Sequence, residues 1–505
     1  MALEIAKPLR VCWGVKVKGS KRIVCGETVN DPRIIEETMK LIGEFLTRVE
    51  KHKSVLLSGL ATPFDDVIND LSNWLWSIRE KIKGGNDENI AKLRMAMLKV
   101  SEKMLMLVRQ AKENWLSIFK PELEELIEEL RKGKVEVIIT GEPFNEDKSF
   151  MVHLYTGHLA IGVSRVRRSV TVVITLTGLR GVRIIMPKLF NDVKLRAMRY
   201  GLLLTDGAIN KAGNPEMNTN QIWQTVIWLM AWPGRNHVLV HGVNLNEDNV
   251  AIVWILTAMD HRVKSKAKVA KEVHKFDDEV FLTFLLTAVL GDGAVDVKGK
   301  RVRLMIGNSK YGLWRDIIRR MKNLGFRDYD SEYKKEIYIY YSKAVGLAKR
   351  WLSDVLIRAL IEDLSSLSDA EKLKRLLVLV DMKIKSRGKS SIKVIADVRM
   401  SVSVSYNGYV TLKAWRSKFE NAKTIQEALR RAGFNAELSQ RGNGFMVYII
   451  KDEIIKHPEL LTRVCEVLKE MLDEAVSEGK TRRAKAIIKA MIKLNCQNAA
   501  QSPRA

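Results

Sequence analysis

Two aspartates, each followed by a glycine, close two apolar segments in the middle of the chain. The first segment covers residues 195–209 and contains Asp206-Gly207, and the second covers residues 284–295 and contains Asp292-Gly293. Phosphodiester hydrolysis needs an activated water and a stabilised leaving oxyanion, and paired carboxylates that hold divalent cations supply both. We therefore predict Asp206 and Asp292 as catalytic and metal-binding residues. Mg2+ is the expected ion, because it prefers carboxylate oxygens next to phosphates.

Each apolar segment is predicted to be a helix that ends at its Asp-Gly pair. A glycine just past the last turn can take the left-handed conformation that stops a helix, which assigns this role to Gly207 and Gly293. The preceding aspartate then lies at the negative end of the helix dipole, at a cost of a few tenths to about 1 kcal/mol. A bound cation would offset this cost.

Small residues recur four positions apart within each predicted helix, as Gly201 with Thr205 and Thr287 with Gly291. Residues at this spacing share one helix face, so two such faces allow close packing of the helices. This packing would bring Asp206 next to Asp292. The alternative is that Asp-Gly is simply a favoured turn dipeptide. Two copies in the same setting argue against that alternative.

At these residues the chain resembles the LAGLIDADG family of homing endonucleases, in its single-chain form with two motifs. Both Asp-Gly pairs match the end of the family's helical motif, and Gly201 and Gly291 match its small-residue positions. The chain departs from the consensus at Arg199, Tyr200, Thr205 and Thr287. The resemblance covers roughly the middle third and implies a mobile-element endonuclease that binds double-stranded DNA with two sheets and cuts both strands with Mg2+. More faintly, the whole chain resembles multicopy, repeat-encoded archaeal proteins of unassigned activity.

The segments after both motifs give the element order αββαββα, and Asp206 and Asp292 lie 86 residues apart. We predict an α+β fold with tandem LAGLIDADG-like units forming a pseudo-two-fold saddle. A third, diverged unit is predicted, in which the helix 373–381 ends at Asp381 and Met382 replaces the glycine. The predicted divisions are 1–185 (β-hairpin, helical bundle and β region of unknown role), 186–275 (first unit), 276–365 (second unit), 366–480 (third unit) and 481–505 (basic tail).

Polar side chains on the predicted strands are candidates for nucleic-acid binding. Alternation over residues 301–307 places Arg301 and Arg303 together on an open face, where they can bind guanine edges or phosphates. In the first unit the same reasoning buries Met217 and exposes Glu216, Asn218 and Asn220. The turn lysines predicted to contact phosphates are Lys211, Lys298 and Lys300. Each of these residues is also compatible with an ordinary solvated strand or turn.

The chain has 505 residues and a formal charge of +26, which favours a polyanionic partner over a generally basic surface. We expect double-stranded DNA, with RNA as the alternative, and a monomer whose N-terminal helices can bind a protein partner. Four cysteines without metal-binding spacing indicate neither disulfides nor a zinc site. With no signal-peptide core and no membrane-length apolar run, we expect a cytoplasmic protein that does not bind membranes. The alternative function is a non-cleaving DNA- or RNA-binding regulator or splicing helper on the same scaffold.

Overall fold

A computed structural model describes residues 9–19, 22–85, 87–167, 169–330, 334–382, 390–395, 398–442, 444–477 and 479–496. Helices and strands are mixed along the whole chain, which confirms the α+β class. The chain forms two compact units, Met1–Lys383 and Ile384–Ala505. Among the described residues, no helix combines the length and the apolar character needed to cross a bilayer.

The N-terminal region begins with the predicted β-hairpin and continues into a helical bundle. The hairpin strands pair in antiparallel orientation. Asp31 starts the first helix by accepting a hydrogen bond from the backbone N–H of Arg33 at 2.9 Å, and Pro32 occupies the first turn. The elements are β1 (Arg10–Lys16), β2 (Ile23–Thr28), α1 (Pro32–Lys51), α2 (Lys53–Leu56), α3 (Asp65–Lys83), α4 (Glu88–Asn114), a π-helical turn (Trp115–Phe119), α5 (Lys120–Arg131), β3 (Glu136–Gly141), β4 (Phe150–Tyr155), β5 (Leu159–Val166), β6 (Ser169–Leu176) and β7 (Val182–Met186).

Two successive repeats follow, each with the element order αββαββα. The first contains α6 (Asp192–Leu204), β8 (Gly207–Ile209), β9 (Pro215–Thr219), α7 (Ile222–Ala231), β10 (Gly234–Leu245), β11 (Val250–Ala258) and α8 (Lys266–Val273). The second contains α9 (Asp278–Asp292), β12 (Gly293–Asp296), β13 (Arg301–Gly307), α10 (Tyr311–Asn323), β14 (Arg327–Asp330), β15 (Lys334–Tyr340) and α11 (Ser342–Trp351). Their antiparallel strands are ordered β8-β9-β11-β10 and β12-β13-β15-β14. Both repeats therefore have the same topology.

The predicted boundary between residues 185 and 186 is wrong. Strand β10 pairs with β6 through Gly242–Asn244 and with β7 through Gly234–Val238. One sheet therefore runs β2-β1-β3-β4-β5-β6-β10-β11-β9-β8, with β7 beside β10, and joins the N-terminal region to the first repeat. The sequence pattern shows each strand but not its pairing partner, so it could not reveal this continuity.

The predicted boundary between residues 365 and 366 is also wrong. Helices α12 (Val355–Leu364) and α13 (Glu371–Asp381) follow the second repeat and belong to the first compact unit. Leu373, Leu376 and Leu379 of α13 are buried in the core of that unit, whereas Asp381 is exposed. The helix predicted to open a third repeat therefore completes the preceding core.

The second compact unit has its own sheet and core. Its elements are β16 (Ser391–Ile395), β17 (Val398–Val404), β18 (Val410–Arg416), α14 (Phe419–Arg431), β19 (Glu437–Arg441), β20 (Gly444–Ile450), α15 (Lys451–Ile455), α16 (Pro458–Ser477) and α17 (Thr481–Lys493). The strand order is β16-β17-β18-β20-β19, so its last four strands have the topology of the two repeats. The predicted tail is partly wrong, because Ile487 and Ala490 of α17 are buried in the core. Residues 497–505 of that prediction lie outside the described residues.

All four cysteines are paired, contrary to the sequence-based expectation. Cys12 on β1 is bonded to Cys25 on β2, and Cys465 on α16 is bonded to Cys496 just after α17. The Cα atoms of each pair lie 5.5 Å apart. Separations of 13 and 31 residues carry no recognisable motif, since the hairpin and the helix pair bring the sulfurs together only in the folded chain.

Candidate functional site

The helices α6 and α9 pack side by side through their small residues, as the spacing predicted. A Cβ atom on Gly201 would lie 2.1 Å from Thr287 Oγ1, and one on Gly291 would lie 2.2 Å from Thr205 Oγ1. Both threonine hydroxyls donate to carbonyls of their own helix, Thr205 to Gly201 at 2.9 Å and Thr287 to Phe284 at 3.0 Å. The interface therefore depends on glycine at positions 201 and 291.

The two glycines after the aspartates do not end the helices in the predicted way. Gly293 has an extended conformation, with φ −98° and ψ 177°, and Gly207 is the first residue of β8. Both are instead required by crowding. A Cβ atom would lie 2.7 Å from Leu203 Cα at Gly207, and 2.5 Å from the Val289 carbonyl oxygen at Gly293. Each glycine lets the chain turn from helix into strand directly over the last helical turn.

Asp206 and Asp292 lie together at the adjacent ends of the packed helices, since a Cβ atom on Gly291, next to Asp292, would lie 3.2 Å from Asp206 Oδ2. Burial raises the pKa of the Asp206 carboxyl to about 6, with a further increase from the charge of Asp292 and from hydrogen bonding to it. Two carboxyl groups in such contact favour sharing one proton. The arrangement is a half-buried acidic pair in which the pKa of Asp206 is raised to about 6.

An amide side chain orients one member of the acidic pair. Gln224 on α7 donates from Nε2 to Asp206 Oδ2, and its Oε1 accepts a 2.5 Å hydrogen bond from the hydroxyl of Thr219.

The N-terminus of α7 is capped from outside the helix, since the backbone N–H of Ile222 donates to Asp369 Oδ2 at 2.5 Å. Burial raises the pKa of Asp369 to about 6. Neither contact could be predicted from the sequence, because Gln224 looked like one residue of an apolar helix.

Lysines compensate the negative helix ends, a role that was predicted for a bound cation. Lys372 of α13 donates to the carbonyl oxygens of Leu290 and Gly291 at 2.8 and 2.7 Å. Lys310 Nζ lies 3.6 Å from Asp292 Oδ2 and 3.4 Å from the carbonyl oxygen of Thr205. Both lysines were missed, because they lie far from the aspartates in sequence.

The same surroundings shift the titration of the lysines themselves. Burial lowers the pKa of Lys372 to about 8, while Asp206 and Asp292 act in the opposite direction. Burial also lowers the pKa of Lys266, at the start of α8, and the nearby charge of Lys310 adds to this effect. The site thus combines an acidic pair with amines that exchange protons closer to neutral pH than free lysines do.

The donor set of the acidic pair suits a hard divalent cation. Mg2+ is usually held by one or two carboxylates together with water and substrate phosphate. Asp206 and Asp292 would supply the carboxylate ligands of such an ion. Elsewhere in the described chain, one group of three potential ligands is close enough for a metal, formed by Cys12, Cys25 and Glu136, and its sulfurs are already bonded to each other.

Arg301 and Arg303 share one face of β13, as predicted, but they are compensated by an acid. Both guanidinium groups approach Glu336 on β15, at 3.5 and 3.6 Å, and Arg301 also lies 3.8 Å from Asp296. Tyr340 and Tyr338 stand opposite the two arginines on the neighbouring strand. The face is therefore a mixed arginine and tyrosine surface, and its arginines are not free of acidic partners.

The other predicted contact residues lie on strands and turns. Met217 is buried, and Asn218 and Asn220 are exposed, as predicted. Lys211 and Lys298 are exposed in turns, and Lys300 has a positive φ of 46° at the end of the β12–β13 turn. Among the hydrogen bonds and ion pairs of the described residues, the side chains of Asp206 and Asp292 contact Gln224 and Lys310 and none of these candidates.

No protein-family model, curated protein or solved structure matches this chain.

Proposed function

We propose that this protein is a metal-dependent, site-specific endonuclease of the LAGLIDADG type that hydrolyses phosphodiester bonds of double-stranded DNA. The observation that carries the proposal is the contact between the Asp206 and Asp292 carboxyls at the ends of two helices packed through glycine. The shared topology of the two αββαββα repeats supports it, since each repeat would bind one half of a DNA site. The formal charge of +26 suits a polyanionic substrate.

In this proposal Asp206 and Asp292 hold Mg2+. An ion held there would supply an activated water and would stabilise the leaving oxyanion. Gln224 fixes the orientation of the Asp206 carboxyl. Lys310, beside Asp292, is suited to pairing with a phosphate oxygen, and Lys372 can hold or release a proton at Nζ near neutral pH.

A second candidate is a DNA- or RNA-binding protein that does not cleave, such as a regulator or splicing helper. One specific observation favours it. The amines of Lys310 and Lys372 already lie beside Asp292 and the end of α9, so part of the negative charge is compensated without a metal. This candidate predicts nucleic-acid binding that is insensitive to Mg2+ and to a chelator.

Incubation of the purified protein with plasmid libraries, in Mg2+ or in chelator, tests the proposal. We expect cleavage in Mg2+ alone, and we expect Asp206→Asn and Asp292→Asn each to lower the cleavage rate by at least about a thousandfold while DNA affinity changes little. Asp381→Asn is the matched control, because this aspartate also closes an apolar helix but is exposed. Unchanged cleavage by either active-site variant, or binding without cleavage under every condition, refutes the nuclease proposal.

A further inference from the structure

Among the described residues of the second compact unit, the helices pack on one face of its sheet. Val402, Leu412, Val447 and Ile449 lie on the covered face, in one core with buried residues of the three long helices of this unit. The alternate residues of the same strands form the other face. We call this face the open sheet face, and its residues include Lys393, Arg399, Lys413, Trp415, Tyr448 and Glu437.

Three cations lie close together on the open sheet face. Lys393 on β16 stands directly opposite Arg399 on β17, and Lys413 on β18 stands opposite Ser401 on β17. Like charges placed directly across a sheet destabilise it. Within the described part of the chain none of the three side chains forms an ion pair, and Glu437 on this face accepts a hydrogen bond from the hydroxyl of Tyr448. An anionic ligand would relieve the repulsion.

An exposed tryptophan lies beside these cations. Trp415 on β18 is 52% exposed, and its indole ring packs over Gly444 on β20, where a Cβ atom would lie 2.6 Å from ring atom Cζ2. On the neighbouring strand β20, Tyr448 stands opposite Lys413 and Met446 stands opposite Trp415. The glycine supports one side of the indole, and a large part of the ring remains accessible to solvent. Aromatic rings held in this way on a sheet stack with unpaired bases.

We propose that the open sheet face binds single-stranded nucleic acid, with a base stacked on Trp415 and phosphates paired with Lys393, Arg399 and Lys413. A duplex fits this face less well, because its base faces are already stacked and are not available to an indole. A protein partner fits less well too, since it would have to bury two lysines, a residue type depleted from interface cores. The proposal does not depend on the nuclease proposal, because it involves neither Asp206 nor Asp292.

Fluorescence anisotropy with labelled oligonucleotides tests the proposal on the full-length chain, in chelator so that no cleavage interferes. The probes are a mixed-sequence single strand of about 20 nucleotides, as DNA and as RNA, and the blunt duplex of the same sequence. We expect the single strands to bind through the open sheet face, and we expect any duplex binding by the two repeats to be unaffected by substitutions at Trp415. Trp415→Ala should weaken single-strand binding about tenfold, whereas Trp415→Phe should keep most of the affinity because it retains a stacking surface.

The contribution of the cations is measured by the salt dependence of binding. Arg399→Ala with Lys413→Ala should reduce the slope of log affinity against log salt by about 0.7 for each phosphate that is no longer paired with a cation. Matched controls are Trp76→Ala, which removes a 67% exposed tryptophan on α3, and Arg482→Ala with Lys485→Ala, which removes exposed cations on α17. Circular dichroism melts verify that each variant is folded.

No binding to the single strands, or equal losses in the Trp415 and Trp76 variants, would overturn the proposal. A folded Trp415→Phe variant that binds as weakly as Trp415→Ala would also exclude stacking as its basis. None of these outcomes bears on cleavage. Conversely, an inactive acidic pair leaves the expected binding unchanged, so failure of the nuclease proposal is distinguishable from failure of this one.

Discussion

At the residue scale, the raised pKa of Asp206 predicts a pH dependence of stability. Its folded-state pKa of about 6 lies above its usual value, so the folded state binds this proton more tightly than the unfolded state does. The resulting stabilisation is fully present below about pH 4 and is lost as the pH rises through about 6. We therefore expect urea titrations to show that the free energy of unfolding of the parent, relative to that of Asp206→Asn, falls as the pH rises. The decrease should be on the order of 1 kcal/mol between about pH 4 and about pH 7.

The same unfolding measurement in the presence of Mg2+ tests the proposed metal site. If the ion replaces the shared proton, Mg2+ should restore stability to the parent at about pH 7–8 and leave Asp206→Asn unaffected. Parallel pH curves for the two proteins would contradict the assignment of the shared proton. Equal effects of Mg2+ on both would contradict the metal site.

Within the site, the acidic pair was the part that could be predicted from sequence. Asp206 and Asp292 each follow an apolar run with small residues four positions apart, so helix geometry alone places them side by side. The residues around them could not be predicted in this way. Lys310 lies just before α10, Lys372 lies on the distant helix α13, and Gln224 lies on the apolar helix α7. Only tertiary packing brings them to the acidic pair.

At the scale of elements, the αββαββα order was predictable because helix and strand periodicities alternate cleanly in both repeats. The reason for glycine at the helix ends was not. Sequence suggested a left-handed cap, whereas Gly207 and Gly293 are required because the following strand crosses close to Leu203 and Val289. A dipeptide can reveal that a helix ends without revealing which contact excludes a side chain.

The packing of α6 on α9 gives a prediction at this scale. Gly201→Ala and Gly291→Ala should each lower the free energy of unfolding by about 2 kcal/mol, because the added methyl group overlaps a threonine hydroxyl on the other helix. Matched controls are Gly43→Ala in α1 and Gly346→Ala in α11, where no heavy atom lies within 4 Å of the added Cβ. These controls should be neutral or stabilising by up to about 1 kcal/mol. Thermal melts that rank all four variants together would contradict the role of the glycines.

At the scale of the whole molecule, a buried carboxylate ties the N-terminal helices to the helix that follows the second repeat. Asp363 on α12 has a side chain that is 1% exposed, and it contacts Lys81 of α3 at 2.7 Å and Arg94 of α4 at 2.8 Å. Trp74 also donates from its indole N–H to the Asp363 backbone carbonyl at 2.9 Å. These partners lie 269 to 289 residues from Asp363 in the chain, which explains why sequence periodicity could not place these helices in one core.

Removing this carboxylate should destabilise the first compact unit strongly. We expect Asp363→Ala to cost about 3 kcal/mol, because two cations lose their buried partner, and we expect urea titrations to show the loss. Glu362→Ala is the control on the same helix, since Glu362 forms an exposed pair with Arg358 at 2.7 Å. Its cost should stay below about 1 kcal/mol. Similar losses in the two variants would show that the Asp363 cluster does not join the helices.

The two repeats differ at the outer strand of their sheets, which is β14 in the second repeat and β10 in the first. Strand β14 ends its sheet with charged residues, Arg327, Asp328 and Asp330, which discourage other strands from adding to that edge. Strand β10 is long and pairs on its other side with β6 and β7. A shortened chain starting at residue 187 would leave the backbone N–H and C=O groups on that side of β10 unpaired. Such an edge can pair with other copies of the chain and promote aggregation. The shortest well-behaved fragment that contains the acidic pair must therefore begin well before the first repeat.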